Sequence, residues 1–440
     1  MNLFFKKLFG GFETAEKMEA KEKQLIADFL RYRKFAESDT YQEYQKLFEV
    51  VKSADFKENK KTLKNRKYSD TQEYLDMREY KKLVSNGKLH AYFKTLKSKE
   101  LVAFLNFKDT EDYLKLGNKL EVRKSPTLQI FKKFEKSDEY RNYARFHNSV
   151  PVSEYENLKE KIFTEEFKKS NAFWADKNRW EKTEQYAIEQ TFFKIVDSEE
   201  GKFFFSTDPK KFEEIAKQQL IVKDNFKWKN LDESKWEAGF CYANKNLKSV
   251  HSFLNELQAN AGGKNIHSGN ALTISTKHQK TKSAAWDTTK GFVEKEYNFS
   301  SDIINGHNFI EQPYSLIRAK IRFEGSPVHA FWLSGGEKLP HINIAKTNGK
   351  RTIEAGVYDY EGKYCSTKIS GLNLSNYHIF SLYCLNNELI WKINNLEVFR
   401  TKHRQHFQNL FPVFNSFIPD KKHASAGRLQ VDWVEVYNIN

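Results

Sequence analysis

Residues 341–346 read His-Ile-Asn-Ile-Ala-Lys, a short apolar run interrupted by three side chains that can hydrogen-bond, carry charge or move a proton. In an extended strand alternate residues share a face, so His341, Asn343 and Ala345 point one way and Lys346 the other. One inserted residue, a β-bulge, would return Lys346 to the side of His341 and Asn343. A histidine titrates near neutral pH and can serve as a base, but a base without a proton donor and a nucleophile does not make a hydrolase. No Ser/His/Asp or Cys/His arrangement in a recognisable local context supplies those partners. Acids close by in the chain, Glu324, Glu337, Glu354, Asp359 and Glu361, are read as solvated loop and strand-end carboxylates. The histidines at 307, 329, 378, 403, 406 and 423 lack metal-ligand spacing, so no metal and no cofactor is expected.

The segments flanking this six-residue stretch are β-type. Leu272–Thr276, Leu316–Phe323 and Leu389–Ile393 are short runs rich in branched residues and punctuated by Gly and Asn, the pattern of a sandwich of many strands. Several runs also carry a resemblance. Leu231-Asp-Glu-Ser-Lys-Trp236, Tyr314-Ser-Leu-Ile-Arg-Ala-Lys-Ile321, Ala330-Phe-Trp-Leu333 with Pro340, Ile390-Trp-Lys-Ile393 and Leu429-Gln-Val-Asp-Trp-Val-Glu-Val-Tyr437 follow one another in a family order. Residues 220–440 thus resemble glycoside hydrolase family 16, the laminarinase and lichenase group. The resemblance implies a concanavalin A-like β-jelly roll with a cleft on its concave face. It also implies that the Glu-x-Asp-x-x-Glu motif falls on His341, Asn343 and Lys346, so that nucleophile, assisting acid and acid/base are all replaced. A retaining glycosidase needs two carboxyl groups about 5 Å apart, and these three residues cannot supply them. The expectation is a non-catalytic binding or assembly protein with a degenerate active site. The alternatives are a lectin-like glycan binder that keeps the cleft and a hydrolase with relocated carboxylates. Candidate sugar-contacting aromatics are Trp332, Trp286, Tyr358, Tyr360 and Tyr364, because flat amphipathic rings suit sugar faces. Trp391 and Trp433 are read as filling the core between the sheets. A β-glucan or galactan is the ligand implied, and a protein partner or self-assembly the other candidate.

Residues 1–219 have a different texture. Ser or Asp followed by acids and then an aromatic recurs as Ser38-Asp-Thr-Tyr41, Ser69-Asp-Thr-Gln-Glu-Tyr74, Asp109-Thr-Glu-Asp-Tyr113, Ser137-Asp-Glu-Tyr140 and Ser153-Glu-Tyr155. A Ser or Asp at this position accepts hydrogen bonds from the free N–H groups of a first helical turn, and acids there suit the helix dipole. Ser69 and Ser153 fit the capping box. Apolar residues follow at helical spacing, as in Tyr41, Tyr44, Phe48 and Val51. The prediction is an all-α array of short helical hairpins, its aromatic stripes forming the core between stacked helices. Lys202–Ser206 reads as a short strand or connector before one last helix, and the fold class is multidomain, α plus β.

The 440 residues are enough for two or three domains with proper cores. The net charge of +15 comes from lysines interleaved with acids rather than from a basic block, so nucleic-acid binding is not expected. Cysteines at 241, 365 and 384 form no disulfide framework. The opening MNLFFKKLFGGF breaks its apolar residues with Lys6-Lys7 and offers no small-residue cleavage site, so it is not read as a secretory signal. A cytoplasmic location is expected. Residues 1–12, with Leu3, Phe4, Phe5, Leu8 and Phe9, could instead form a short amphipathic segment touching a membrane surface.

Overall fold

The computed structural model describes residues 12–240, 250–287, 289–310, 314–335, 339–348, 351–385, 388–402 and 410–439. The segment expected to touch a membrane, with Leu3, Phe4, Phe5, Leu8 and Phe9, lies outside them, as do Cys241, Glu337, His403 and His406. No helix among the described residues is long and apolar enough to cross a membrane. The chain divides into two compact units, Lys34–Thr207 and a second made of Met1–Arg33 with Asp208–Asn440.

The Lys34–Thr207 unit is helical throughout. Its helices begin at hydroxyl or amide caps: Ser38 accepts from Tyr41 N, Ser53 from Phe56 N, Ser137 from Tyr140 N and Thr183 from Tyr186 N. Several of these hydroxyls also donate backwards to the carbonyl three residues earlier, Ser53 to Val50 O and Thr183 to Trp180 O, both at 2.7 Å. One side chain thus ties the end of one helix to the start of the next, which is why the joints are only one to a few residues long. Three caps differ from expectation. Asp109 ends Lys99–Lys108, and the 3₁₀ turn Glu111–Gly117 follows Thr110 with no side-chain cap. Ser69 lies in a 3₁₀ turn, and the cap of Gln72–Val84 is Thr71. Ser153 lies inside Val150–Phe163, where it donates to Val150 O.

The helices pair out and back. Asp39–Lys52 lies against Glu184–Asp197, Gln72–Val84 against Val150–Phe163, Gly87–Leu96 against Asp138–Phe146, and Lys99–Lys108 against Pro126–Glu135. Aromatic residues fill the seam, with Tyr44 stacked on Phe192, Tyr92 on Tyr143 and Phe107 on Phe131. Lys202–Ser206, expected as a strand or connector, belongs to the helix Glu199–Ser206, capped by Ser198. Its Phe204 packs on Phe35 and Tyr41, contacts that a strand of this length would not reach.

The second unit is a largely antiparallel sandwich with seventeen strands among its described residues. One sheet runs β15 (Leu396–Lys402), β14 (Glu388–Ile393), β13 (His378–Leu385), β8 (Leu316–Gly325), β17 (Gly427–Ile439), β5 (Leu272–Asp287), β6 (Gly291–Ser301), β3 (Gln258–Asn260). To it β1 (Gln218–Asp224) adds on β17 and β4 (Ile266–His267) on β5. The other sheet runs β12 (Tyr364–Ser370), β11 (Thr352–Tyr358), β10 (His341–Thr347), β9 (Val328–Ser334), β16 (Phe411–Phe417), β7 (Ile303–Asn305), β2 (Glu237–Ala238). Period-two alternation sends Ile317, Ala319 and Ile321 of β8, Phe331 and Leu333 of β9, and Ile353 and Ala355 of β11 into one core between the sheets.

The expected division at 219/220 lies near the start of β1. Residues 15–33, expected in the helical half, are grouped with the sandwich because the helix Ala15–Ala36 covers the outer face of the first sheet. Ala15 and Met18 pack on Ile379 and Trp433. Glu19 reaches Lys320 and Glu22 reaches Arg318, each at 2.8 Å. Trp391 is in the core as expected, but Trp433 is not between the sheets. A register shift between Val431 and Trp433 turns it to the outer face, where its indole donates to Glu19 at 2.8 Å.

Candidate functional site

The stretch 341–346 is strand β10, in the middle of the seven-stranded sheet. Against β9 the register passes from Asn343↔Trp332 to Ala345↔Phe331, and against β11 from Asn343↔Gly356 to Lys346↔Glu354. One extra residue on β10 therefore makes a bulge, which sends Ile342, Ile344 and Ala345 into the core and leaves His341, Asn343 and Lys346 on the opposite face. The bulge is held from below. Trp391, on the other sheet and 1% exposed, donates its indole N–H across the core to the carbonyl of Asn343 at 2.9 Å.

On the face turned away from the core the polar groups form one chain. His341 Nε2 lies 3.0 Å from Asn343 Oδ1, which can only accept, so the imidazole carries its proton on Nε2. The Asn343 side chain hydrogen-bonds in turn with the Tyr364 hydroxyl. That hydroxyl donates to Glu354 Oε1. Burial, followed by the Lys346 charge, pushes the His341 imidazole below the ordinary histidine range, with the Asn343 hydrogen bond opposing. It is a neutral ring at pH 7. Burial, and then Glu354, raises the Tyr364 phenol above the usual tyrosine range. Lys346 is half-buried, and among the described residues no carboxylate lies within 4.0 Å of it.

The candidate aromatics divide into three groups. Trp332 stacks on His341 with centroids 4.3 Å apart, but it is 5% exposed, its N–H donates to Asn415, and Phe240, Ile303, Phe411 and Val413 cluster with it. Tyr358 and Tyr364 stack on each other at 4.0 Å beside His341, and Tyr358 stays 36% exposed. Tyr360, 47% exposed, stands in the turn after β11. Trp286 is on the β5–β6 hairpin and 53% exposed. It connects to the cluster around Trp332 through aromatic residues not recognised in the sequence: Phe292 at 5.0 Å, then His251, then Phe240 and Phe253. Those four occupy loops and a hairpin whose packing has no sequence period, so only their aromatic type marked them.

The remaining acids do not join the site. Asp359 caps its own turn through the backbone N–H groups of Glu361 and Lys363, and Glu324 lies on the other sheet. Glu354 is the carboxylate that the register sets across from Lys346, whereas Glu237 shares this face only at the far edge of the sheet, on β2, four strands from β10. Among those residues no cluster of three His, Cys, Asp or Glu could hold a metal. The buried histidines are committed elsewhere, His329 between Ser416 and the Glu324 carbonyl and His378 between the Asn373 carbonyl and Asn394. A cavity of about 490 Å³ opens on the outer side of the first sheet, between Thr14, Glu16, Arg322, Tyr377 and His378, away from β10.

No family model matches the chain, and no curated protein sequence matches it. Solved structures are similar over about half of it. The catalytic domain of an endo-1,3-beta-glucanase (laminarinase) from Thermotoga petrophila superposes with a TM-score of 0.41 at 16% identity, covering 51% of this chain and 98% of that one. The endo-beta-1,3-glucanase of Pyrococcus furiosus gives 0.41 at 17% identity, covering 51% and 95%. LamAcat of Zobellia galactanivorans gives 0.41 at 17%, covering 51% and 100%.

Proposed function

We propose that this chain is a non-catalytic binding protein whose sandwich keeps a concave binding face without hydrolytic machinery. The observation that carries the reading is the composition of that face. The bulge in β10 brings His341, Asn343 and Lys346 to one side, and the carboxylate beside them is Glu354, already bonded to Tyr364, while Glu237 lies on the same face four strands away. Double displacement at a sugar needs one carboxylate to attack and a second acid to protonate the leaving oxygen. A neutral imidazole held below its usual range is a poor acid, and an ammonium cannot attack. The third reading, a hydrolase with relocated carboxylates, needs two acids about 5 Å apart, and Glu237 stands four strands from β10, about 19 Å away.

Between a glycan and a protein partner, the exposed rings of Tyr358 and Tyr360 beside a polar floor favour a glycan, since such rings offer a flat apolar face and a hydrogen-bonding edge. Trp332 is too covered to serve as the platform. Release of reducing ends from laminarin, lichenan and agarose is the direct test. The full chain is expected to release none above a blank, and release that disappears in Glu354→Gln would overturn the proposal. The triple variant His341→Glu, Asn343→Asp, Lys346→Glu tests the geometry. If the bulge alone positions the three groups, some hydrolysis of one of these polymers is expected to return.

A further inference from the structure

The last pair of the helical unit is Lys99–Lys108 with Pro126–Glu135, and the segment that joins them closes the array. It consists of the 3₁₀ turn Glu111–Gly117 and the helix Lys119–Lys124, with only Asn118 and Ser125 as joints before Pro126–Glu135. Asn118 accepts from Leu120 N at 3.0 Å and Ser125 from Leu128 N at 3.3 Å, so each joint is pinned by a cap. Tyr113, Leu116, Val122, Leu128 and Phe131 pack inward with Phe104. Residues two apart stand on nearly opposite sides of a helix, so Val122 and Leu128 in the core leave Leu120 and Ile130 in water. Leu114, Leu120 and Ile130 are 82%, 65% and 67% exposed.

An isolated exposed leucine needs no explanation. The end of a stacked array is another matter, because no further pair covers it and such ends are ordinarily polar. Here the exposed apolar side chains stand among cations. Leu120 has Arg123 and Lys124 three and four residues on, and Ile130 has Lys133 three on. Neither has an acid three or four residues away in either direction, so the face each shares is basic. Lys115 pairs with Asp112 and Lys132 with Glu135. Lys119, Arg123, Lys124 and Lys133 are exposed and form no ion pair among the described residues, against two acids in the same state, Glu111 and Glu121.

We propose that this end of the helical unit docks on an anionic lipid bilayer, with Leu114, Leu120 and Ile130 entering the headgroup boundary and Lys119, Arg123, Lys124 and Lys133 facing the acidic headgroups. The two features act together on one kind of surface. A bilayer interface takes up protruding apolar side chains without a shaped groove, and its negative potential attracts the cations beside them. A second copy of the chain would bring like charges together. A nucleic acid would pair with the cations and leave the three apolar side chains in water. Because the caps at Asn118 and Ser125 already fix these elements, little chain remains to be ordered on docking.

Sedimentation of the full chain with vesicles tests the proposal, using phosphatidylcholine alone and phosphatidylcholine mixed with phosphatidylserine, at low and high salt. The chain should sediment with the mixed vesicles, stay in solution with phosphatidylcholine alone, and be released by salt. Arg123→Gln with Lys124→Gln should weaken partitioning about fivefold per charge removed. Leu114→Ser, Leu120→Ser and Ile130→Ser together should weaken it at least as much with every charge kept. Circular dichroism should show that triple variant folded, because all three side chains are exposed. Lys57→Gln with Lys64→Gln removes the same charge from exposed positions of the helix Ala54–Asn65 and should have little effect. No sedimentation with the mixed vesicles, an equal loss in the Lys57 and Lys64 variant, or binding that survives the triple serine variant would each overturn the proposal. Self-association that the serine variant abolishes, or tight binding of duplex RNA, either one without sedimentation, would assign the surface to that partner instead.

Discussion

The contact between the helix Ala15–Ala36 and the first sheet offers a sharp test of how its charges are arranged. Glu19 accepts from the Trp433 indole at 2.8 Å and pairs with Lys320 at 2.8 Å, and Lys320 has a second partner in Asp432 at 2.9 Å. The lysine side chain is 11% exposed, whereas Glu19 and Asp432 are 33% and 35% exposed. Glu19→Ala leaves the buried indole N–H without an acceptor, which costs about 2 kcal/mol. The lost half of the Lys320 bridge adds about 1 kcal/mol, since Asp432 still compensates the cation. The sum, about 3 kcal/mol, corresponds to a factor of about 150 in the opening equilibrium of this helix. Lys320→Met behaves differently. It leaves two carboxylates that water already reaches, keeps the Glu19–Trp433 hydrogen bond and replaces an aliphatic stem with another, so about 1 kcal/mol or less is expected. Native-state hydrogen exchange of the amides in Ala15–Ala36 reads this local opening without requiring the whole chain to unfold in one step. If Lys320→Met opens the helix more than Glu19→Ala, or if Glu19→Ala leaves exchange unchanged, the ordering argued from solvent access is wrong.

Two further outcomes follow from other buried charges. Arg179, 6% exposed, has no carboxylate within 4.0 Å among the described residues and donates to the carbonyls of Arg66, Asp176 and Trp174, the ends of two helices. Arg179→Met should destabilise the helical unit by about 3 kcal/mol in urea unfolding, and Arg179→Lys should not rescue it, because an ammonium cannot fork to three carbonyls. Glu256 is pushed up from 4.5 to about 7 by burial. Its folded form holds a proton more tightly than the unfolded one, so its contribution to stability is complete below about 4.5 and is lost as pH rises to about 7. Glu256→Gln should flatten that part of the stability–pH curve, and an unchanged slope would show that another group carries it.

Much of the helical unit was legible because its signals are local. Ser38 and Ser137 announce their helices through one hydroxyl and the N–H three residues on, a contact set entirely by neighbouring residues. The same logic misplaced three caps, Ser69, Asp109 and Ser153. In Ser69-Asp-Thr71 the first hydroxyl looked as capable as the third, and the intervening 3₁₀ turn shifts the start to Thr71. Lys202–Ser206 misled because a run of phenylalanines has no period, and only the packing of Phe204 on Phe35 and Tyr41 selects a helix. The pairing of helices out and back was beyond reach, since Asp39–Lys52 and Glu184–Asp197 meet through contacts separated by the rest of the unit.

In the β half, residue order alone indicated a two-sheet sandwich and the facing of β10, including the need for a bulge to bring Lys346 beside His341 and Asn343. Those follow from the two-residue period of a strand, which any local segment carries in itself. Tertiary structure decided what surrounds the three. Trp391 reaches across the core to hold the bulge, Trp332 disappears under Phe240 and Phe411, and Tyr364 bonds Asn343 to Glu354. It also decided that the helix Ala15–Ala36 covers the sandwich, with Trp433 turned outward beneath it. Each is a meeting of side chains far apart in the chain, and such meetings depend on register and shape across whole sheets rather than on the identity of neighbouring residues.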